Sequence, residues 1–158
     1  MTTVTVREIM QQDVPSVAPG DSVARVSRVL SETGLPGVPV VENGAVIGIV
    51  TDKDIIQREA NISAPAVVPF LDAFFVVDAG RDLDDELQRV LATSARDLMT
   101  EPVINIRDSA TLEETATVML DRGISVLPVL DDSDALVGIV SRHDLVRVIA
   151  RLESDDLA

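Results

Sequence analysis

Two blocks of the chain place a hydroxyl and a carboxylate at the start of a segment that follows an apolar run. They are Gly48-Ile49-Val50-Thr51-Asp52-Lys53-Asp54 and Gly138-Ile139-Val140-Ser141-Arg142-His143-Asp144. If a helix begins just after Thr51 and Ser141, its first turn exposes unpaired backbone N–H groups and a partial positive charge, which favour phosphate. The Thr51 or Ser141 hydroxyl can donate to a phosphate oxygen. Asp54 or Asp144, one turn in, can accept both hydroxyls of a ribose diol. Basic residues sit inside the blocks, Lys53 in the first and Arg142 with His143 in the second. The same spacing is that of an ordinary helix-capping box. Capping and binding are compatible, because a carboxylate has two oxygens. The chemistry to expect is recognition of a phosphorylated nucleoside, with a pair of plain caps as the rival.

Other chemistries find little support. There is no cysteine, which removes disulfides and thiolate catalysis, and the only histidine is His143, so no Cys/His set exists for a transition metal. No G-x-G-x-x-G, P-loop or nucleophile–base spacing is present. The expectation is therefore no enzymatic activity, no catalytic residues and no required cofactor. The acidic runs (Asp82, Asp84, Asp85, Glu86; Asp131, Asp132, Asp134; Asp155, Asp156) read as solvated faces and loop tips. A net charge of −14 argues against nucleic acid and anionic membrane as partners, so an anionic ligand must be held by a local positive site. Residues 1–10 do not read as a secretion signal and the apolar runs are short, which makes the cytoplasm the expected compartment. With no Trp or Tyr, adenine recognition would rest on apolar side chains and backbone hydrogen bonds.

The blocks belong to a longer internal repeat. Thr5-Val6-Arg7-Glu8-Ile9-Met10 matches Ser94-Ala95-Arg96-Asp97-Leu98-Met99, and Gly34–Val41 matches Gly123–Leu130, both at an offset of 89. The hydroxyl–carboxylate blocks follow at an offset of 90. Repeats of this kind decide a fold. Each copy reads as a short helix capped by Thr5 with Glu8 or Ser94 with Asp97, then a strand (Val14–Val17; Val103–Ile106). A helix follows, with apolar residues Val23, Val26, Val29 and Leu30 in the first copy and Leu112, Ala116, Met119 and Leu120 in the second. Thr111 with Glu114 caps the second of these, and Gly34 and Gly123 end the pair. A hairpin comes next, turning at Asn43-Gly44 in the first copy and through the acidic loop Asp131–Asp134 in the second. The last helix of copy two carries the stripe Leu145, Val148, Ile149 and Leu152. The fold class is α/β (α+β), two βαββα repeats packed about a pseudo-twofold with a shared core and two equivalent clefts between them. Repeat one spans 5–60 and repeat two 94–152, followed by a tail at 153–158. Between them, 61–93 is expected to be a helical linker holding Pro65, Pro69, Phe70, Phe74, Phe75 and an acidic helix with Leu83, Leu87, Val90 and Leu91.

The strings Gly34…Pro39-Val40-Val41…Gly48-Ile49-Val50-Thr51-x-x-Asp54 and Gly123…Pro128-Val129…Gly138-Ile139-Val140-Ser141-x-x-Asp144 resemble the signature of the CBS-domain family, twice over. The resemblance covers 5–60 and 94–152. It implies a regulatory module, usually a homodimer, that senses AMP, ADP, ATP or related adenosyl ligands and acts on an unidentified protein effector. It also implies one cleft pairing Ile49, Thr51 and Asp54 with Ile124 and Ser125, and another pairing Ile139, Ser141 and Asp144 with Leu35 and Pro36. Arg142 and His143 make the second the more basic. A ligand-free dimerisation scaffold is the alternative function.

Overall fold

The computed structural model describes residues 3–62, 67–70, 73–76 and 94–156. In the first copy a one-turn helix α1 (Val6–Ile9) precedes α2 (Val23–Thr33), the hairpin β1 (Gly37–Glu42) and β2 (Ala45–Thr51), and helix α3 (Asp52–Ile62). A second hairpin, β3 (Val67–Phe70) with β4 (Ala73–Val76), separates the copies. The second copy runs α4 (Ala95–Leu98), β5 (Ile106–Arg107), α5 (Leu112–Arg122), β6 (Val126–Leu130), β7 (Leu136–Ser141) and α6 (Arg142–Asp156).

Local signals set these boundaries. Thr111 and Glu114 bond reciprocally, Thr111 N–H to Oε2 at 2.8 Å and Glu114 N–H to Oγ1 at 3.1 Å, which starts α5. The Glu8 carboxylate accepts from the Thr5 N–H at 2.7 Å, which holds it below its ordinary pKa. Gly34 and Gly123 end α2 and α5 in the left-handed region, at φ 66° and 63°. Asn43 and Gly44 both have positive φ, 52° and 80°, as the type I′ hairpin turn requires. In the second hairpin Asp131 organises the loop. Its Oδ1 accepts from the Ser133 hydroxyl at 2.7 Å, the Ser133 N–H at 2.9 Å and the Ala135 N–H at 3.0 Å. The Ser133 hydroxyl is the largest cause of its lowered pKa.

The leading helices are exchanged between the copies. Val6 of α1 is fully buried in the core of copy two, with Ile106, Met119, Leu127, Val129, Val140 and Leu145. Ala95 and Leu98 of α4 are buried in the core of copy one, with Val26, Leu30, Val38, Val40 and Val50. The hydrogen bonds match pairwise. Val6 N–H donates to Ala110 O (2.8 Å) as Ala95 N–H does to Asp21 O (2.8 Å). Gln11 N–H donates to Ile139 O (2.8 Å) as Thr100 N–H does to Ile49 O (2.9 Å). Arg7 pairs with buried Asp108, and Arg96 with Glu42 at 3.0 Å. The single shared core expected from the repeat is thus two larger clusters, each completed by the other copy's leading helix. A small third cluster of Leu35, Val126 and Ile139 lies between them.

Other expectations are corrected. Only Val17 of the first expected strand pairs, in a parallel bridge to Val40, and the second is reduced to β5, parallel to β6. The chain in these stretches is committed to joining the exchanged helices to their own copies. Within 61–93, α3 reaches Ile62 and residues 67–70 and 73–76 form strands rather than a helical linker. The Val- and Phe-rich segments favour this extended pairing. The expected helix at Leu83–Leu91 and Pro65 lie outside the described residues. The tail is helical through Asp156 as part of α6. Leu120, placed on the core face of α5 by its spacing, is 76% exposed. On α6 Leu145 is buried, but Ile149 and Leu152 are 44% and 42% exposed.

Two glycines fit the exchanged methionines. A Cβ at Gly138 would collide with the Met10 thioether and lie 3.1 Å from Gln11 O; at Gly48 it would collide with Met99. Gly138→Val is expected to lower unfolding stability by about 1–3 kcal/mol, the usual scale of overpacking. Adding Met10→Ala should restore part of that loss, giving a non-additive double-mutant cycle in urea denaturation. Strict additivity would place the collision elsewhere.

Candidate ligand cleft between the repeats

Helix α6 begins at the inter-copy boundary because β7 ends there, and Ser141 and Asp144 cap it. Asp144 Oδ2 accepts from the Ser141 N–H at 2.8 Å and the Ser141 hydroxyl at 2.9 Å, and both residues are buried. Thr51 and Asp54 repeat the arrangement at α3, at 2.9 and 3.0 Å, but are only half-buried. Each hydroxyl therefore already spends its proton on the carboxylate, so donation to a phosphate oxygen requires it to turn outward.

A groove of about 430 Å³ opens at the N-terminus of α6. Copy two lines it with Ser125, Ser141, Arg142, His143, Asp144 and Arg147, and copy one with Gln11, Thr33, Gly34, Leu35, Pro36 and Asp52. Of the residues expected in the Ser141 cleft, Leu35, Pro36, Ser141, Asp144, Arg142 and His143 meet here. Ile139 does not line it; its side chain is fully buried against Leu35 and Val126. Ser125, expected beside Thr51, lines this groove instead, because its carbonyl accepts the Arg142 N–H at 3.0 Å. Lys53 is exposed and lies outside the groove lining. Ile49, Thr51 and Asp54 stay partly accessible, and the half-buried Ile124 offers its carbonyl to Arg142 Nε at 2.9 Å.

Sequence reasoning missed Gln11, Thr33, Asp52 and Arg147. Arg147 lies one turn beyond Asp144 with its guanidinium 3.6 Å from Oδ1, a spacing that was available to be read. Asp52 answers to Arg142 in the repeat, and its N–H bonds Pro36 O at 2.8 Å as Arg142 N–H bonds Ser125 O. Gln11 had no signal, since only the exchanged leading segment carries it to Asp144, where Nε2 lies 3.2 Å from Oδ1 and 3.4 Å from Oδ2.

The groove can hold an anion on a helix N-terminus beside Arg142, His143 and Arg147, with a carboxylate one turn deeper and apolar Leu35 and Pro36 opposite. A larger, more open depression of about 610 Å³ lies along Val46, Ile47 and Glu101–Val103. Among the described residues its lining offers no cation and no helix N-terminus, so it suits an anion less well. Among the described residues no group of three His, Cys, Asp or Glu is placed to hold a metal ion.

A model of the CBS domain matches residues 6–61 and 95–151. The chain belongs to the CBS domain family. Its CBS pair is 29% identical over 149 residues to the uncharacterised protein MK0525 of Methanopyrus kandleri, covering 94% of this chain and 64% of the relative. It is 30% identical over 150 residues to the chloroplastic CBS domain-containing protein CBSX2 of Arabidopsis thaliana, covering 92% of this chain and 62% of the relative. The chain thus spans a little under two thirds of the length of both relatives. The solved structure of CBSX2 in complex with AMP matches at a TM-score of 0.77 and 26% identity, over 95% of this chain and 99% of that one. The CBS domain pair of MJ0100, solved with 5′-methylthioadenosine and S-adenosyl-L-methionine, has a TM-score of 0.68 at 21% identity over 94% and 99% of the two chains, and shares the fold.

Asp144→Ala is expected to cost about 1–3 kcal/mol of unfolding stability, since two buried donors of Ser141 lose their acceptor. The half-buried Asp54→Ala should cost less. Paired urea titrations compare them, and an equal or reversed order would contradict the burial difference.

Proposed function

We propose that this CBS pair is a non-catalytic regulatory module that binds an adenosine-containing nucleotide in the clefts between its copies. The observation that carries the reading is the groove at the start of α6. There Ser141, Asp144, His143 and two arginines from one copy face Leu35 and Pro36 of the other. Phosphate sits on the N-terminus of α6 with Arg142 and His143, the Asp144 carboxylate takes the ribose, and Leu35 and Pro36 pack on the base. Thr51, Asp54, Ile49 and Ile124 form the second, less basic site. The AMP complex of the similar CBSX2 supports the adenosine part of this assignment.

The output follows from the interleaved halves. A ligand touching both copies shifts their relative packing by as much as its preference between the two arrangements. Dimerisation through α5 and α6 is part of the proposal, supported by exposed Leu120, Val146, Ile149 and Leu152 on these neighbouring helices. A separate protein effector receives the change. No helix among the described residues is long and apolar enough to cross a membrane. A ligand-free scaffold is favoured by one observation, that both hydroxyl–carboxylate pairs are complete helix caps.

Thermal unfolding with AMP, ADP, ATP, NAD and S-adenosylmethionine separates the two readings. A ligand at about 100 times its Kd adds about 2.7 kcal/mol of stability. Asp144→Ala should weaken the phosphate-bearing ligand more than Asp54→Ala does, and no shift with any of the five favours the scaffold. Ile149→Glu is expected to convert a dimer to monomer in size-exclusion chromatography with light scattering; an unchanged mass would remove α6 from the interface.

A further inference from the structure

Asp54 and Asp144 occupy matching places, yet they are not equally available to a ligand. Each commits Oδ2 to the backbone N–H and hydroxyl at the start of its own helix. The other oxygen differs. Asp144 Oδ1 accepts from Gln11 Nε2 at 3.2 Å, with Arg147 Nη1 3.6 Å away, and the carboxylate is 2% exposed. No described residue donates to Asp54 Oδ1, and Asp54 is half-buried.

The cause is the residue at the matching place in each exchanged segment. Gln11 and Thr100 hold equivalent backbone bridges, to Ile139 and Ile49. Gln11 is pinned on both sides, its N–H to Ile139 O at 2.8 Å and its carbonyl to Ile139 N–H at 2.9 Å. Its Cα is fixed and its long side chain reaches the carboxylate. The amide must turn its NH₂ group to Asp144, because a carboxylate only accepts. Thr100 is two atoms shorter and makes no bond to Asp54 among the described residues.

A cis-diol needs two acceptor positions. Asp144 Oδ2 already receives two donors, and Gln11 occupies one of the two lone-pair directions of Oδ1. We infer that Gln11 sets the ribose selectivity of the Ser141 cleft: it covers Asp144, and a diol gains that carboxylate only by displacing the Gln11 amide. The inference rests on the nucleotide reading above. The amide also stands on the segment that ties copy one to copy two, so displacing it loosens a contact between the copies as the ligand enters. Among the described residues Asp54 has no such cover.

Calorimetric titration tests this in an Asp54→Ala background, which leaves the Ser141 cleft to report. The probes are AMP and 2′,3′-dideoxy-AMP. Gln11→Ala is expected to tighten AMP by roughly fivefold, the scale of one net hydrogen bond, while dideoxy-AMP changes by less than about twofold. Gln11→Thr, which copies Thr100 and keeps a polar side chain, should behave alike and guards against a folding defect in the alanine variant. Unliganded melting temperatures establish that both fold. Equal tightening of both probes, or unchanged or weaker AMP binding in folded variants that still lose it on Asp144→Ala, overturns the role of Gln11 and leaves the nucleotide reading standing. Absence of AMP binding at millimolar concentration in the unsubstituted chain, as well as in the Asp54→Ala background and both variants, overturns the two together.

Discussion

Exchange of the leading helices is the constraint on which the other features rest. Val6 completes the core of copy two, and Ala95 with Leu98 completes that of copy one. A repeat of this size has too much surface for its volume to bury a sufficient core alone. Each copy here solves the shortage by borrowing a helix from the other. The borrowed turns are fixed by Met10 on Gly138 and Met99 on Gly48, where any larger residue meets a thioether. The groove at the start of α6 is a by-product of that interlock. The segment that leaves α1 passes the start of α6, and it delivers Gln11 to a carboxylate of the other copy.

The groove is less acidic than the molecule as a whole. The chain carries −14, yet in this lining Arg142 and Arg147, with His143 beside them, offset Asp52 and Asp144 at one helix N-terminus. Screening over about 8 Å at physiological ionic strength confines the contest to near neighbours. An anion in the groove feels these side chains and the α6 amides more than the remote acidic surface. The same short range makes the acidic hairpin loop a local matter, since Asp131 is consumed by Ser133 and Ala135, and Asp134 by Arg107 at 2.7 Å.

What could be read from the chain was whatever neighbours along the chain decide. The Thr111–Glu114 cap, the Asn43-Gly44 turn, the helix-ending glycines and the duplicated Thr51–Asp54 and Ser141–Asp144 pairs each depend on residues a few positions apart, and each stands where expected. The exchange was not legible, because the copies are equivalent and nothing local says which core Val6 enters. Two contacts between the copies were hidden for the same reason: the Gln11–Asp144 bond and the burial of Ile139 against Leu35. Leu120 misled differently. Its spacing places it with Met119 and Ala116, but α5 turns it outward, where it is exposed. The β3–β4 hairpin was missed because the segment lies outside the repeat, so no second copy pointed to strands there.

Gly37 and Val126 are counterparts in the repeat, and they also touch: a Cβ on Gly37 would lie 2.7 Å from Val126 Cγ1. A position that meets its own image sits on the local twofold, where there is room for one bulky group and not two. Two separate identical half-chains would be forced to place the same residue on both sides, leaving either a clash or a hole. Joined in a single polypeptide, the halves are free to differ there, one supplying the isopropyl group and the other the space it fills. Covalent fusion thus lets the symmetry break at its own centre, and the unlike burial of Thr51–Asp54 and Ser141–Asp144 is a larger instance of the same freedom.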